Sequence, residues 1–158
     1  MALFLNEKVY GVLKEDLHDF LDNSEANAVM LCDRGGNIIV HNGDSVNESA
    51  DLISALVAGA FAATKELAAV LGEEEFTAIF HQGQNTSIFI SAVGEEVLLL
   101  ALFDYNTTAG LVKMYALNTI NKIRGVFTDV EINSPDMKSD DPTASFVISK
   151  GPIFKEGD

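Results

Sequence analysis

Apolar residues recur at helical spacing in three long segments of the chain. This periodicity predicts amphipathic helices over residues 7–22, 51–72 and 109–130. Short runs rich in β-branched, aromatic and aliphatic residues predict five strands, at residues 28–32, 38–40, 76–81, 87–93 and 97–103. The predicted order is helix, two strands, long helix, three strands and helix, which indicates an α+β domain.

Two of the predicted strands are apolar at every position, namely AVMLC at 28–32 and VLLLALF at 97–103. Strands buried on both faces have this composition, so we expect these two at the centre of a sheet that helices cover on both sides. The run FTAIFH at 76–81 becomes polar at its end and is the better candidate for an edge strand. Because an open apolar edge invites pairing with another chain, this strand predicts dimerisation.

The long predicted helix has two unlike sides. A bulky stripe predicts the side that packs on the sheet, and it consists of Leu52, Ile53, Leu56, Val57, Leu67, Val70 and Leu71. The opposite side is small and carries only the charges of Lys65 and Glu66; its other members are Ser54, Ala55, Ala58, Gly59, Ala62 and Ala69.

A solvated helix face is usually polar, and a glycine in mid-helix costs about 1 kcal/mol relative to alanine. The small side, with Gly59 in it, therefore predicts contact with another protein surface. A helix buried completely in its own domain, or alanine present for helix propensity, is the alternative. Ser49 is the predicted N-cap of this helix and Gly72 its C-cap.

Composition limits the class of protein. The 158 residues are 47% hydrophobic, enough for one domain with a substantial core. Twenty-four acidic residues against ten basic ones give a net charge of −14, which repels phosphate backbones and anionic membranes. We therefore predict neither nucleic-acid nor membrane binding.

The sequence pattern predicts neither a secretory signal peptide nor a membrane span. The single cysteine, Cys32, lies in an apolar run and predicts a buried thiol in a reducing environment. The N-terminal residues lack a basic start, and the run at 97–103 is too short to span a bilayer. These features predict a cytoplasmic protein.

No catalytic constellation emerges from the sequence. The histidines, His18, His41 and His81, are scattered without the spacing of metal ligands. The pair Gly35-Gly36 lacks the following Lys-Ser/Thr of a phosphate-binding loop. Arg34, in a predicted turn, is a candidate arginine finger, although surface solvation is the commoner role. We predict no catalytic residue, no cofactor and no metal.

The C-terminal segment differs from the rest. All three prolines come after the last predicted helix, in a stretch rich in Asp, Ser and Lys. This change predicts a domain over residues 1–131 and a tail over 132–158. The apolar residues at 146–148 and 153–154 predict an added strand or a docking segment, and a poorly ordered terminus is the alternative.

Four stretches together resemble the Roadblock/dynein light-chain family, and within it the bacterial mutual-gliding-motility B (MglB-like) branch. They are ALVAGAFAATKELAAVLGEEEF from Ala55 to Phe76, FHQG from Phe80 to Gly83, LLLALFD and TTAGLVK. The resemblance covers about residues 7–130. It implies a profilin-like fold with a five-stranded antiparallel sheet in order 2-1-5-4-3, the long helix on one face and the first and last helices on the other.

The resemblance also implies a homodimer whose third strands pair into one continuous sheet, with the two long helices side by side. The predicted dimer edge is formed by Phe76, Ala78, Phe80 and His81.

The MglB-like branch is similar to activators of a small Ras-like GTPase that sets cell polarity. Such activators act as dimers and supply no catalytic side chain. The positions that match the GTPase contact are Ala58, Ala62, Ala63, Lys65, Glu66 and Ala69. With Ala55 and Gly59 they form the predicted GTPase or dimer interface. The alternatives are a dimeric Roadblock scaffold without activating function, in a motor, sensory or polarity complex, and a small enzyme.

Overall fold

The structure, a computed structural model, describes residues 6–43 and 48–133. Three helices and five strands lie within these residues. They are α1 (Glu7–Ser24), β1 (Ala28–Asp33), β2 (Ile38–Asn42), α2 (Ala50–Leu71), β3 (Ala78–His81), β4 (Ser87–Val93), β5 (Val97–Phe103) and α3 (Ala109–Asn133). The predicted elements are all present, with ends that shift by at most three residues.

The strands form one antiparallel sheet in the order β2-β1-β5-β4-β3, as predicted. The two runs that are apolar throughout, β1 and β5, pair from Ala28↔Leu102 to Asp33↔Val97 and lie in the interior of the sheet. Both are buried at almost every position. The prediction of two central strands covered on both faces is confirmed.

Alternate side chains of the sheet enter two separate cores. On one face, Val29 and Leu31 pack with Leu13 and Leu17 of α1 and with the inner side of α3. On the other face, Met30 and Cys32 pack with α2. Helices therefore cover both faces, and the period of two along β1 assigns each residue to its layer.

The element ends follow local hydrogen bonding. The Asn6 side chain caps α1 by accepting from the Val9 amide at 2.8 Å. Gly72 ends α2 in the left-handed region at φ 81°, with its N–H directed to the carbonyls of Ala68 and Ala69. Ser49 is the N-cap residue of α2, as predicted, although its side chain makes no capping hydrogen bond.

The orientation of α2 on the sheet differs from the prediction. Its buried residues are Ala50, Ser54, Val57, Ala58, Phe61 and Ala68, whereas most of the bulky stripe points away from the sheet. The Ser54 hydroxyl donates to the Gly36 carbonyl at 2.7 Å. A Cβ at Gly36 would stand 3.0 Å from the Ala55 Cα, so the β1–β2 turn approaches the helix backbone closely.

The prediction that the bulky stripe forms the core face is therefore wrong for Leu52, Leu56, Leu67, Val70 and Leu71, which are exposed. Small residues face the sheet because the helix backbone lies close to the β1–β2 turn, and Phe61 supplies the bulk. The predicted boundary between a domain at 1–131 and a tail stays a prediction. The apolar residues at 146–148 and 153–154 lie outside the described residues.

Candidate functional site

The outer side of α2 is exposed and apolar. Leu52 is 62% exposed, Leu56 64% and Val70 82%, and Leu67 is also about half exposed at 49%. Contiguous apolar surface of this kind marks interaction sites on soluble proteins. We call this surface the α2 outer face; its residues are Leu52, Ala55, Leu56, Gly59, Ala62, Ala63, Lys65, Glu66, Leu67, Ala69 and Val70.

Most of the predicted interface residues lie on this face. Ala55, Gly59, Ala62, Ala63, Lys65, Glu66 and Ala69 are all exposed. Ala58 is the exception, since it is only 7% exposed and lies on the side of α2 that faces the sheet. Ala58 is thus part of the chain's own packing. The role of the other seven in binding a GTPase or a second copy stays a prediction.

In the described part of the chain, no close contact requires a glycine at position 59. A Cβ built at this residue meets nothing within 4 Å, although glycine in mid-helix costs about 1 kcal/mol relative to alanine. The chain's own fold therefore leaves room for a side chain here. Among residues 6–43 and 48–133, no surface approaches the helix at Gly59.

The second part of the site is the edge strand β3. Within the described residues it pairs with β4 alone, which confirms the predicted edge position. The Ala92 amide donates to the Thr77 carbonyl at 3.1 Å, so the alternating ladder directs the backbone groups of Ile79 toward β4. The N–H and C=O groups of Ala78 and Phe80 face the open edge.

The predicted edge residues take different positions around this strand. Phe80 is 45% exposed and stacks on Phe103, with 5.9 Å between the ring centroids. Ala78 is half-buried on the side of α1 and α3, and His81 is exposed. Phe76 precedes the strand, which begins at Ala78 and not at residue 76 as predicted.

The α2 outer face and the β3 edge are neighbours along the chain. Gly72 turns the chain out of α2, and residues 72–77 carry it directly into β3. The acidic run Glu73–Glu75 lies in this connection and is exposed. The C-terminal end of α2 is therefore joined to the edge strand by a short connection.

The side chain of Arg34 is held in place by contacts within its own chain. Its guanidinium lies 5.1 Å from the centre of the Phe61 ring and donates to the Gly94 carbonyl at 3.2 Å. It also forms an ion pair with Glu75 at 3.6 Å. These contacts join the β1–β2 turn, the β4–β5 turn and the segment before β3, so Arg34 is neither a free surface cation nor an extended finger. The sequence offered no signal for this role, because its partners come from three distant segments.

The other titratable side chains of the described residues form no catalytic arrangement. Burial raises the pKa of the Cys32 thiol to about 12, with Asp33 adding to the effect, so this cysteine is a packed and unreactive thiol as predicted. His18 is exposed on α1 and lies 3.3 Å from Asp22. Among the described residues, no three His, Cys, Asp or Glu side chains are grouped to hold a metal ion.

Helix α2 is also the one helix in the described part of the chain whose length and composition would allow it to cross a membrane. Its apolar content has a different explanation in this fold. The inner side packs on the sheet, with Ser54 hydrogen-bonded to the β1–β2 turn, and the outer side carries the exposed leucines. The composition therefore indicates a helix with two apolar sides, each suited to a different protein surface.

Solved structures of MglB proteins share this architecture. The Myxococcus xanthus MglB structure is 28% identical, with a TM-score of 0.75 over 81% of this chain and 96% of that one. A gliding protein MglB from Thermus thermophilus is 29% identical, with a TM-score of 0.75 over 80% and 96%. A third structure, described as MglB with tetrameric arrangement, is 28% identical, with a TM-score of 0.76 over 80% and 96%.

The fold is also that of the profilins. The Schizosaccharomyces pombe profilin superposes with a TM-score of 0.56 at 14% identity, covering 72% of this chain and 98% of that one, which shows the fold alone. No curated protein matched the sequence. Residues 12–103, from α1 to the end of β5, match the sequence model of the Roadblock/LC7 domain. The chain belongs to the Roadblock/LC7 family.

Proposed function

We propose that this protein is a dimeric regulator of a small Ras-like GTPase, acting in the cytoplasm as a GTPase activator in cell polarity or motility. The observation that carries the proposal is the apolar α2 outer face, together with the open edge of β3, the strand that follows α2 along the chain. The apolar face costs free energy when it is left in water, and the open edge offers unpaired backbone groups with which another strand can pair.

A second copy of the chain suits the edge. Two β3 strands that pair antiparallel satisfy the outward N–H and C=O groups of Ala78 and Phe80 and extend the sheet through both chains. The same operation brings the two α2 helices to one side of the joint sheet. The tetrameric arrangement described for one MglB relative supports self-association in this branch of the family.

The regulatory role rests on the relatives and on the composition of the site. The relatives at 28–29% identity are MglB proteins, one of them described as a gliding protein. Arg34 is held by Phe61, Gly94 and Glu75, so it is not available to enter a partner's active site. In the proposed mechanism the dimer rearranges the GTPase's own residues, and the α2 outer face supplies binding energy without a catalytic side chain.

The direct test is single-turnover and multiple-turnover GTP hydrolysis by a small Ras-like GTPase from the same source, with and without this protein. We expect hydrolysis to accelerate and to saturate with added protein. Ala62→Arg, which places a bulky charge on the α2 outer face, should lower or abolish the acceleration while the thermal unfolding midpoint changes little. Asn23→Arg, which adds the same charge at the exposed end of α1, is the matched control.

Ala58 is unsuitable for this test. An arginine at this buried position would carry its charge into the layer between α2 and the sheet and destabilise the domain itself.

The outcome distinguishes activation from simple binding. If the GTPase binds at the α2 outer face and its turnover at saturating protein is unchanged, the protein is a dimeric scaffold and the activator function is refuted. Loss of binding in Ala62→Arg together with unchanged binding in Asn23→Arg would still assign the contact to the α2 outer face.

A further inference from the structure

A second exposed apolar surface lies on α3, in the helical layer opposite to α2. Leu111 is 44% exposed, Met114 48% and Leu117 49%. Their spacing of three residues places them along one side of the helix, whereas Val112, Ala116 and Ile123 face the sheet. This stripe, which we call the α3 outer stripe, is unused by the proposed dimer.

The charged side chains that α3 itself places beside this stripe are basic, and one of them, Lys122, also acts on Asp16 of the adjacent helix α1. Lys113, Lys122 and Arg124 are exposed on α3, and no Asp or Glu occurs from residue 109 to residue 128. The complete chain nevertheless carries a net charge of −14. At about 100° per residue, Lys122 lies on one flank of the stripe and Lys113 and Arg124 on the other. A segment that combines apolar and acidic residues is complementary to this surface.

We infer that the C-terminal segment of the same chain, residues 134–158, docks on the α3 outer stripe through Phe146, Val147 and Ile148. The segment follows directly from α3, which ends at Asn133. Its apolar triplet is preceded by Asp136, Asp140 and Asp141, with Lys138 the one base between Asn133 and Phe146. In a chain that folds back along α3, the aspartates reach the basic residues of the helix first, and the apolar triplet that follows them reaches the stripe.

The distances allow this docking. Leu117 lies about 24 Å along the helix axis from Asn133, at 1.5 Å per residue. The chain from Asn133 to Phe146 reaches about 43 Å when extended, at 3.3 Å per residue. A returning segment passes Lys122 and Arg124 with its three aspartates and then reaches the stripe with its apolar triplet.

Docking within one chain costs less entropy than binding a separate molecule, because the segment is already tethered. The linker is short, so the effective concentration of the segment at the stripe is in the millimolar range. A modest apolar contact then suffices to keep the stripe covered. This inference does not depend on the GTPase proposal, because it uses neither the α2 outer face nor β3.

Thiol labelling in the full chain tests the inference. Met114→Cys introduces an accessible thiol on the stripe, while the native Cys32 is buried and has a pKa raised to about 12, so it stays unlabelled. We compare its alkylation rate with and without the triple substitution Phe146→Ser, Val147→Ser and Ile148→Ser. Labelling should be about tenfold faster in the triple variant. Glu95→Cys, on the exposed β4–β5 turn, is the matched reporter and should label equally fast in both backgrounds.

A charge substitution tests the basic flanks separately. In the Met114→Cys background, Arg124→Glu should speed labelling about two- to fivefold, the range of an exposed ion pair, and high salt should reduce this difference. Lys8→Glu makes the same change of charge on α1 and should leave the rate unchanged.

Equal labelling rates with and without the apolar triplet would overturn the inference, because the stripe would then be open or covered by something else. Protection that grows with protein concentration would also overturn it, since a second copy would be the occupant. Protection that is independent of concentration and lost in the triple variant supports docking within the chain.

Discussion

Asp16 on α1 is a carboxylate in an unfavourable place. It is half-buried, and its Oδ2 atom has no hydrogen-bond partner. Burial raises the pKa of this carboxyl group above its ordinary value of 3.8; Lys122 on α3 acts in the opposite direction, and the carboxylates of Asp19 and Glu15 raise it further. The ionised form is therefore disfavoured in the folded protein relative to the unfolded chain.

The raised pKa of Asp16 predicts that Asp16→Asn increases the free energy of unfolding by an amount that depends on pH. Because the folded-state pKa is raised, the native state binds the proton more tightly, and stability is lost as the pH rises through that pKa. At neutral pH the substitution removes a partly buried charge, and we expect it to raise the free energy of unfolding by about 1 kcal/mol. As the pH falls through the raised pKa toward the ordinary value of 3.8, this increase in the free energy of unfolding should vanish.

Urea unfolding at fixed protein concentration, near neutral pH and at about pH 4, measures this difference. Glu95→Gln on an exposed turn is the comparison and should change stability little at either pH. A gain for Asp16→Asn that is the same at both values would contradict the assigned cause.

At the scale of elements, β3 and α2 each have one side used by the domain and one side left open. The ladder of β3 alternates, so Ile79 directs its N–H group to β4 and Ala78 directs its N–H group to the open edge. Helix α2 presents small residues and Phe61 to the sheet and the leucines to solvent. Each element can therefore contact a second chain while its packing within its own domain stays unchanged.

The alternation in β3 predicts opposite effects for proline at adjacent positions. Ala78→Pro removes an N–H group that the domain does not use, so the folded chain should persist while self-association weakens. Ile79→Pro removes a donor of the β3–β4 ladder and should destabilise each chain by about 1 kcal/mol or more.

Analytical ultracentrifugation measures association of these two variants, and circular dichroism measures their folding. If Ala78→Pro associates as tightly as the wild type, the dimer does not form through the β3 edge. If it unfolds as readily as Ile79→Pro, the assigned direction of the Ala78 N–H group is wrong.

For the whole molecule, association and stability are linked. A chain of 158 residues with an open β3 edge can pair with a second copy, and such pairing stabilises the folded state by mass action. The two cores on either face of the sheet are complete within one chain, so the monomer has its own hydrophobic packing. We therefore expect a folded monomer that gains stability on dimerisation.

This linkage predicts a concentration-dependent unfolding midpoint. Over a hundredfold rise in protein concentration above the dissociation constant, the free energy of unfolding rises by RT ln of the concentration ratio, about 2.7 kcal/mol per dimer, and Tm should rise by several degrees. In Ala78→Pro the Tm should be nearly constant. A wild-type Tm that does not change with concentration would indicate a monomer and would remove the basis of the dimer proposal.

Local patterns in the sequence determined the elements and much of their arrangement. The unbroken apolar runs of β1 and β5 identified the central strands, and the polar end of FTAIFH identified the edge, because burial on both faces leaves no polar position in a strand. Gly72 marked the end of α2 because the left-handed C-cap favours glycine.

The tertiary structure alone decided which side of α2 the domain covers. Periodicity separates the sides of a helix, but the hydrophobic effect has no direction, so an apolar stripe does not reveal whether its own sheet or another molecule buries it. The β1–β2 turn at Gly36 lies close to the backbone of α2, so the small side of the helix, with Ser54 and Ala58, packs against the sheet. Leu56 and Val70 remain exposed to solvent. The anchoring of Arg34 was equally undetermined, because its partners Phe61, Gly94 and Glu75 meet only when the chain is folded.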